Sequence, residues 1–310
     1  MARRTLQRLK NDLIYAGARL LMAPFAPLSL DGASDLGAAL GRLAFLVATG
    51  ERRRALRHMR IALGAEYREE QLHALVRGCF EHLGRSAGEL LAIRSGRVRP
   101  EELVVLDDAD RERVDRARAL GRGLIGVTGH LGNWEVMAMG VAALGFPVNT
   151  VARRSYDPRF DRMIESFRKE HGVHCLYRRD PDLGQRAADL LARNEMLGLL
   201  IDQDTRVPSV FADFFGRPAA TPLGASWLAR RHDCPLLTFF TFRRDDGRHQ
   251  VVVSDPIPPS HATDLQQALA EDTAEYNRRI EAQIREHPEQ WVWMHQRWKT
   301  RPAEPHPGRP

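Results

Sequence analysis

The sequence predicts an α/β fold in which a largely parallel central sheet is flanked by helices and preceded by a helical N-terminal region. Three observations support this prediction. Residues 1–95 have helical periodicity, apolar runs and amphipathic segments alternate after about residue 100, and 43% of the 310 residues are hydrophobic. Strands alternating with helices are typical of a parallel sheet. We therefore expect a helical region at 1–95, an α/β unit at 96–300 and a disordered, proline-rich tail at 301–310.

The N-terminal region contains an apolar stretch of 18 residues at 13–30. Arg19 and two prolines interrupt this stretch, which makes it marginal for a membrane-spanning helix, and the next apolar run at 36–47 is too short to span. No cleavable signal peptide is expected. The flanking arginines are Arg52, Arg53, Arg54, Arg57 and Arg60. These features predict either an interfacial membrane anchor on anionic lipid or a helical hairpin packed on the rest of the protein.

The later elements follow from hydrophobic periodicity. A 3.6-residue period at 71–93 predicts the last helix of the N-terminal region. Apolar runs between turn residues predict strands at 123–127, 147–152, 173–176, 196–201, 235–242 and 250–253. Amphipathic segments predict helices at 110–119, 134–144, 159–171, 183–193, 221–231 and 265–287. Because the strands alternate with helices, their carboxyl ends are expected to meet at one edge of the sheet.

The charge balance points to acidic partners. The net charge is +6, and only three of the 46 basic residues are lysine. Arginine binds oxyanions bidentately, so the composition favours anionic lipid, a phosphorylated sugar, nucleic acid or an acidic carrier protein. A mean hydropathy of −0.39 excludes a multi-pass membrane protein. Three scattered cysteines exclude a disulfide scaffold and indicate a reducing compartment.

Several sequence patterns argue against other functions. The glycines at 121–126 match a dinucleotide-binding pattern but follow a helix and lead into a strand, which is the reverse of the required context. Neither a phosphate-binding loop nor a serine-hydrolase elbow is present. His171, His174 and Cys175 lack a second ligand cluster with zinc spacing. The arginines are not accompanied by a nucleic-acid-binding signature, so neither a metal nor nucleic acid is expected.

Residues 128–135, Thr-Gly-His-Leu-Gly-Asn-Trp-Glu, form the motif that can carry chemistry, because they lie between a buried strand and a helix. His130 in this position can act as a general base near neutral pH. Glu135 can hold the other ring nitrogen if His130 lies on the loop and Glu135 in the first helical turn. Gly129 and Gly132 allow a sharp turn and leave backbone N–H groups for an oxyanion. The alternative is a histidine that caps a helix beside a surface glutamate.

Residues 129–135 resemble the lipid A late acyltransferase family, whose wider relatives, the glycerolipid and lysophospholipid acyltransferases, share a histidine, four residues and then an acid. Further similarity follows in order at 201–204, 210–216, 218–221, 276–277 and 288–298. The resemblance extends over about residues 5–300. One block departs from the family pattern: residues 152–158 keep an arginine and Asp-Pro but lack the usual asparagines, which leaves the exact acceptor open.

The resemblance implies a glycerolipid acyltransferase-like fold and direct transfer of a fatty acyl chain from an acyl carrier protein thioester to a hydroxyl of a lipid A precursor. His130 would be the general base and Glu135 would orient it, with no metal, other cofactor or covalent acyl-enzyme. The expected partners are acyl carrier protein, anionic membrane lipid and a phosphorylated glycolipid acceptor, at the cytoplasmic face of the inner membrane through a monotopic or single-pass anchor. The expected substrate-binding residues are Arg168, which matches the family's substrate-binding arginine, and Arg153, Arg154, Asn133 and Asp202.

The acceptor, the donor and the catalytic function itself each have an alternative. The acceptor can be another glycolipid or a lysophospholipid, such as a phosphatidylinositol mannoside, and coenzyme A can replace the carrier protein as donor. A non-catalytic lipid-binding protein of the same fold is a third reading, against which the paired His130 and Glu135 argue. The tryptophans of the C-terminal block, Trp291, Trp293 and Trp298, are expected to pack in the core or at an interface rather than contact ligand.

Overall fold

The computed structural model describes residues 2–302, so most of the predicted tail lies outside the described residues. It contains a seven-stranded sheet and a separate two-stranded sheet. The strands of the large sheet are β1 (Val104–Leu106), β2 (Leu124–Thr128), β3 (Val148–Ala152), β4 (Val173–Tyr177), β5 (Met196–Leu200), β8 (Leu236–Arg243) and β9 (His249–Val253). The small sheet is the hairpin of β6 (Ser209–Phe214) and β7 (Arg217–Pro222).

Helices precede the sheet and connect its strands. The N-terminal helices are α1 (Ala2–Met22), α2 (Leu30–Val47), α3 (Thr49–Leu63) and α4 (Glu69–Arg94). The others are α5 (Pro100–Leu103), α6 (Asp108–Ala119), α7 (Trp134–Ala143), α8 (Pro158–Glu170), α9 (Leu183–Ala192), α10 (Gly224–His232) and α11 (Leu265–Glu286). The helical periodicity of residues 1–95 therefore corresponds to four helices, and most predicted boundaries fall within two residues of the observed ones.

The strand order of the large sheet is β1-β9-β8-β2-β5-β3-β4. All neighbouring strands are parallel except β8 and β9, which pair in antiparallel fashion. This confirms the predicted α/β fold with a largely parallel sheet. Strand β2 lies near the centre, and its five residues are all buried. Its neighbour β5 ends beside it, with Thr128 opposite Leu200, so the residues that follow both strands emerge together.

Two hydrophobic cores cover the two faces of the sheet. One contains Ile125 and Val127 of β2 with residues of α9, α10 and α11, and the other contains Leu124 with residues of α6 and α7. Helix α4 contributes to both cores, through Cys79 to the first and Ile93 to the second. The N-terminal helices thus share their buried surface with the sheet, and the domain boundary at residue 95 stays a prediction.

The β6–β7 hairpin and the short strand β1 were not predicted. A two-residue turn at Phe215 and Gly216 joins β6 to β7, and both residues have positive φ values of 54° and 70°. This turn geometry suits glycine, asparagine and aspartate, and phenylalanine gives no signal for it. The predicted helix at 221–231 begins at Gly224 instead, because Thr221 and Pro222 belong to β7.

The first two helices expose apolar side chains. Those of α1 are Leu13, Ile14, Leu20 and Leu21, and those of α2 are Leu40, Leu43, Leu46 and Val47. Over residues 2–302, the helices do not combine the length and apolar content required to cross a bilayer. Association of this region with a membrane stays a prediction.

Candidate active site

His130 lies on the loop between β2 and α7, at the carboxyl edge of the sheet. Gly132 allows this loop to turn, because its φ is +59° and a Cβ there would lie 2.1 Å from the Thr241 carbonyl oxygen. The Asn133 side chain then caps α7 by accepting a hydrogen bond from the Val136 N–H at 3.3 Å. His130 is therefore on the loop and Glu135 is in the first helical turn, as the sequence predicts.

Asp202 is the carboxylate that holds His130. Its Oδ1 lies 2.7 Å from His130 Nδ1, and its Oδ2 accepts the His130 backbone N–H, also at 2.7 Å. The Trp291 indole N–H donates to the same Oδ2 at 2.7 Å. Asp202 comes directly after Ile201, at the end of β5, and β5 is the neighbour of β2. The sheet topology thus places the aspartate beside the histidine.

The surroundings of Asp202 keep it ionised. Its side chain is fully buried. Burial alone would raise the pKa of this carboxyl, but the charge and hydrogen bonds of His130 lower the pKa well below its usual value. An ionised carboxylate only accepts hydrogen bonds, so Nδ1 of His130 carries a proton, and in the neutral ring the lone pair is on Nε2. His130 Nε2 is therefore able to accept a proton.

His295 forms a hydrogen bond with the backbone carbonyl of the same aspartate. Its Nε2 lies 3.0 Å from the Asp202 carbonyl oxygen, which can only accept. Burial lowers the pKa of His295 to about 4, so this ring is neutral at pH 7. Trp291 and His295 come from the C-terminal block, whose Trp291 and Trp293 are buried as predicted. No local sequence pattern indicates that this block contacts the histidine site.

Glu135 pairs with Arg168 rather than with His130, so the predicted contact between Glu135 and His130 is wrong. The Arg168 Nε donates to Glu135 Oε2 at 2.9 Å, and Nη2 donates to the other carboxylate oxygen. The remaining Nη1 lies 3.4 Å from Cys175 Sγ. The planar guanidinium matches a carboxylate bidentately, while the buried Asp202 already occupies Nδ1 of the histidine. Arg168 lies in the site as expected, and its contact with substrate stays a prediction.

Because Glu135 and Arg168 bind each other, their substitutions are expected to be non-additive. Glu135→Gln and Arg168→Lys should each lower kcat/KM by about tenfold, since either change breaks the charged bidentate contact. The double variant should be no worse than about the poorer single variant. Steady-state rates of acyl transfer for the four proteins test this cycle. Effects that multiply would show that Arg168 acts independently of Glu135.

Two of the predicted substrate-binding residues are buried and form hydrogen bonds with other groups of the protein. Asn133 is buried, and its Nδ2 donates to Glu89 Oε2 at 2.8 Å and to the Ser86 carbonyl at 3.2 Å. With its oxygen capping α7, this amide is fully engaged, which corrects the expectation that Asn133 contacts substrate. Asp202 is likewise buried, and it holds His130 rather than an arginine or the sugar of the substrate, which corrects its expected role in substrate binding.

Two backbone donors of the loop are also occupied. The Gly132 N–H donates to the Gln290 carbonyl at 3.0 Å, and the His130 N–H donates to Asp202. The Gly132 N–H is therefore not free for an oxyanion in this structure, in contrast to the expectation from the sequence. The first of these bonds fixes the histidine loop to the C-terminal block.

Arg153 and Arg154 are both exposed, but their contacts differ. Arg154 is exposed, lies 3.6 Å from Asp180 and stacks 3.8 Å above the Tyr177 ring. Arg153 lines the same cleft as His130 and Arg168. Of the two, only Arg153 is thus placed at the histidine cleft, and phosphate binding by either stays a prediction.

The polar cleft that contains His130 shares part of its lining with an apolar cavity. The cleft has a volume of about 280 Å³ and contains His130, Glu135 and Arg168. The cavity has a volume of about 460 Å³ and is lined mainly by aliphatic side chains and Trp227. Three residues line both spaces: Val151, Arg178 and Leu200. A ligand with a polar head and an apolar chain can therefore occupy both.

Fold and site together define a class: an α/β protein with a histidine–carboxylate pair at the carboxyl edge of its sheet, beside a cavity of a size and polarity suited to an acyl chain. The chain belongs to the bacterial lipid A biosynthesis acyltransferase family, whose sequence profile matches residues 3–300. It is accordingly an acyltransferase, as the resemblance of the histidine motif predicts.

The similar proteins include a phosphatidylinositol mannoside acyltransferase and acyltransferases of lipid A biosynthesis. The chain is 26% identical over 221 residues to a phosphatidylinositol mannoside acyltransferase of Mycolicibacterium smegmatis, covering 69% of this chain and 68% of that relative. It is 38% identical over 97 residues to a lipid A biosynthesis lauroyltransferase of Escherichia coli, covering 30% of each chain. It is 35% identical over 115 residues to the palmitoleoyltransferase of the same pathway and organism, covering 36% of each. The matches to the two Escherichia coli enzymes thus span about a third of their length.

Proposed function

We propose that this acyltransferase moves a fatty acyl chain from an acyl carrier protein thioester to a hydroxyl of a lipid A precursor, with His130 as the general base. One observation carries the proposal: Nε2 of His130 is free to accept a proton while buried Asp202 holds Nδ1. The cleft around this ring adjoins an apolar cavity. This arrangement brings a proton acceptor next to a space for an acyl chain.

The reaction needs only the residues of this chain and its two substrates. Nε2 of His130 takes the proton of the acceptor hydroxyl as its oxygen attacks the thioester carbonyl carbon. The carbon–sulfur bond then breaks, and the leaving thiolate takes the proton from the imidazolium. Asp202 stabilises the transient positive charge on the ring, which is why its own negative charge must persist. The products are an ester and a free thiol.

The acyl chain is proposed to lie in the apolar cavity. Its walls include Leu197, Leu199 and Leu228, which offer neither donors nor acceptors to a hydrocarbon chain. Burial of methylene groups there contributes about 0.8 kcal/mol for each group removed from water. The shared residues Val151 and Leu200 would place the thioester carbonyl end of the chain at the histidine cleft.

A phosphatidylinositol mannoside is the second candidate acceptor. The alignment to the mycobacterial enzyme covers more than twice as much of this chain as the lauroyltransferase alignment, 69% against 30%. Residues 152–158 also depart from the lipid A family pattern near the cleft, since Arg153 lines it. The family profile nevertheless spans residues 3–300, which favours the lipid A precursor. It also favours an enzyme over a non-catalytic lipid-binding protein.

Acyl-transfer assays with defined substrates test this function. Purified protein in detergent micelles is given acyl-acyl carrier protein or acyl-coenzyme A, with either a phosphorylated lipid A precursor or a phosphatidylinositol mannoside, and products are identified by mass spectrometry. We expect a mass increase of one acyl chain on the lipid A precursor with the carrier-protein donor. Acylation of the mannoside alone would select the second candidate, and acylation of neither would contradict both.

The exposed apolar residues of α1 are proposed to attach the enzyme to the cytoplasmic surface of an anionic inner membrane. The double substitution Leu20→Ser and Leu21→Ser removes two side chains that are 75% and 65% exposed. We expect vesicle binding to fall by at least about tenfold, because each buried leucine contributes about 1.5–3 kcal/mol. Sedimentation with vesicles containing phosphatidylglycerol measures this change.

The matched control is Leu120→Ser with Leu265→Ser, which removes two leucines of 52% and 54% exposure from helix ends elsewhere on the protein. Vesicle binding of this control should equal that of the unaltered protein. An equal loss in both double variants would contradict a specific role of α1.

A further inference from the structure

The arginines around the histidine cleft fall into two groups. Arg168 lines the cleft and is paired with Glu135, and Arg154, which lies outside the cleft lining, is paired with Asp180. Arg153 and Arg178 also line the cleft, but within residues 2–302 neither forms an ion pair with a carboxylate. Two guanidinium groups at the cleft thus remain without a protein counter-ion, and Arg178 was not singled out by the sequence.

The sheet places these two arginines side by side. Arg153 directly follows β3 and Arg178 directly follows β4, and the last residues of these parallel strands, Ala152 and Tyr177, lie opposite each other. The Arg178 backbone N–H donates to the Ala152 carbonyl at 3.0 Å, which extends the pairing past the strand ends. Both side chains therefore start from the same carboxyl edge that carries His130.

Arg178 occupies the junction of the two spaces, since it lines both the cleft and the apolar cavity. Burial and, after it, the charge of nearby Arg153 lower the pKa of Arg178. Arg178 is half-buried, whereas Arg153 is exposed. Because partial burial of Arg178 weakens the solvent screening of its repulsion by Arg153, the arrangement is more favourable once an anion lies between them.

The nearby carboxylates Asp180 and Asp161 do not neutralise Arg153 and Arg178. Asp180 is two residues from Arg178 but pairs with Arg154 and with Arg186, at 3.6 and 3.3 Å. Asp161 lines the cleft and accepts a hydrogen bond from the Ser155 backbone N–H. The counter-charge for Arg153 and Arg178 is therefore expected to come from a ligand.

We propose that Arg153 and Arg178 form a phosphate-binding site where the histidine cleft meets the apolar cavity. The inference rests on the proposed function and deepens it, because both substrates of that reaction carry phosphate. The two possible sources are the phosphodiester of the donor's phosphopantetheine arm and a phosphate group of the glycolipid acceptor. A pair of arginines suits either, since each guanidinium donates two parallel hydrogen bonds to phosphate oxygens.

Equilibrium binding to matched ligand pairs tests the site without requiring turnover. The donor pair is an acyl-phosphopantetheine and the same acyl-pantetheine without phosphate. The acceptor pair is a phosphorylated lipid A precursor and its dephosphorylated form. Kd values are measured by calorimetry for the unaltered protein, Arg178→Gln and the control Arg179→Gln, which alters the next residue in the chain, an exposed arginine outside the cleft lining.

For Arg178→Gln we expect Kd to rise by about 10- to 100-fold for the phosphorylated member of one pair, with little change for its phosphate-free partner. The affected pair identifies the source of the phosphate. Arg179→Gln should bind all four ligands like the unaltered protein. Equal weakening of both members of each pair, or unchanged binding throughout, would overturn the proposal.

Two further variants keep the test decisive. Arg153→Gln should show the same phosphate-dependent loss, and Arg178→Lys should recover part of the affinity because it retains the charge without the fork. If Arg178→Gln does not fold, Arg153→Gln decides the outcome by the same comparison. If the unaltered protein transfers no acyl chain in the assays described under the proposed function, that result contradicts the proposed function. It does so whatever the binding measurements show about phosphate.

Discussion

Replacement of His130 by alanine is expected to lower kcat for acyl transfer by about two to four orders of magnitude, the usual contribution of a general base. The His130 ring is the group in the cleft whose free Nε2 can take the acceptor proton, because Nδ1 is held by Asp202 at 2.7 Å. Alanine removes both the base and its hydrogen bond to the carboxylate. Single-turnover rates with saturating donor and acceptor measure the chemical step itself.

The control for this substitution is His174→Ala, which removes an exposed histidine on β4. This variant should keep nearly the full rate. Thermal unfolding of both variants should remain cooperative, so that a loss of rate reflects chemistry. If His130→Ala retains more than about a tenth of the rate, His130 is not the general base.

Replacement of Asp202 by asparagine is expected to lower kcat by about three to four orders of magnitude, with a much smaller effect on KM. Asparagine keeps the size of the side chain but removes the negative charge that fixes the Nδ1–H tautomer and stabilises the protonated ring. Because Asp202 is fully buried, it acts through His130 and is a positioning residue rather than a contact of the substrate.

Combining Asp202→Asn with His130→Ala distinguishes a role of Asp202 through the histidine from a purely structural role. If the aspartate acts through the histidine, the double variant should be no slower than His130→Ala alone, because residues that act as a unit are strongly non-additive. Glu135→Gln provides the comparison, since Glu135 contacts Arg168 and its loss should add to that of His130. A multiplicative loss for Asp202→Asn with His130→Ala would contradict the positioning role.

Local patterns were sufficient for the fold class and for most elements. Strand β2 is a short run of buried apolar residues and α11 has a clear helical period, so both were predicted close to their observed bounds. The β6–β7 hairpin is not predictable from the sequence, because its turn places Phe215 at a positive φ and phenylalanine is not a residue typical of such turns. Local sequence also placed His130 at the carboxyl edge, since a loop after a buried parallel strand can emerge nowhere else.

By itself, the sequence determined an α/β fold with a histidine at the carboxyl edge of its sheet, because those features follow from periodicity and a short contiguous motif. That the protein is an acyltransferase was implied by its resemblance to a known family over several sequence blocks. Only the tertiary structure decided which carboxylate holds the histidine. Asp202 is 72 residues away in the chain and reaches His130 because β5 lies beside β2. Glu135, five residues away, turns instead to Arg168 on a neighbouring helix. The order of strands in the sheet decides which distant residues come into contact, and that order cannot be predicted from any local sequence pattern.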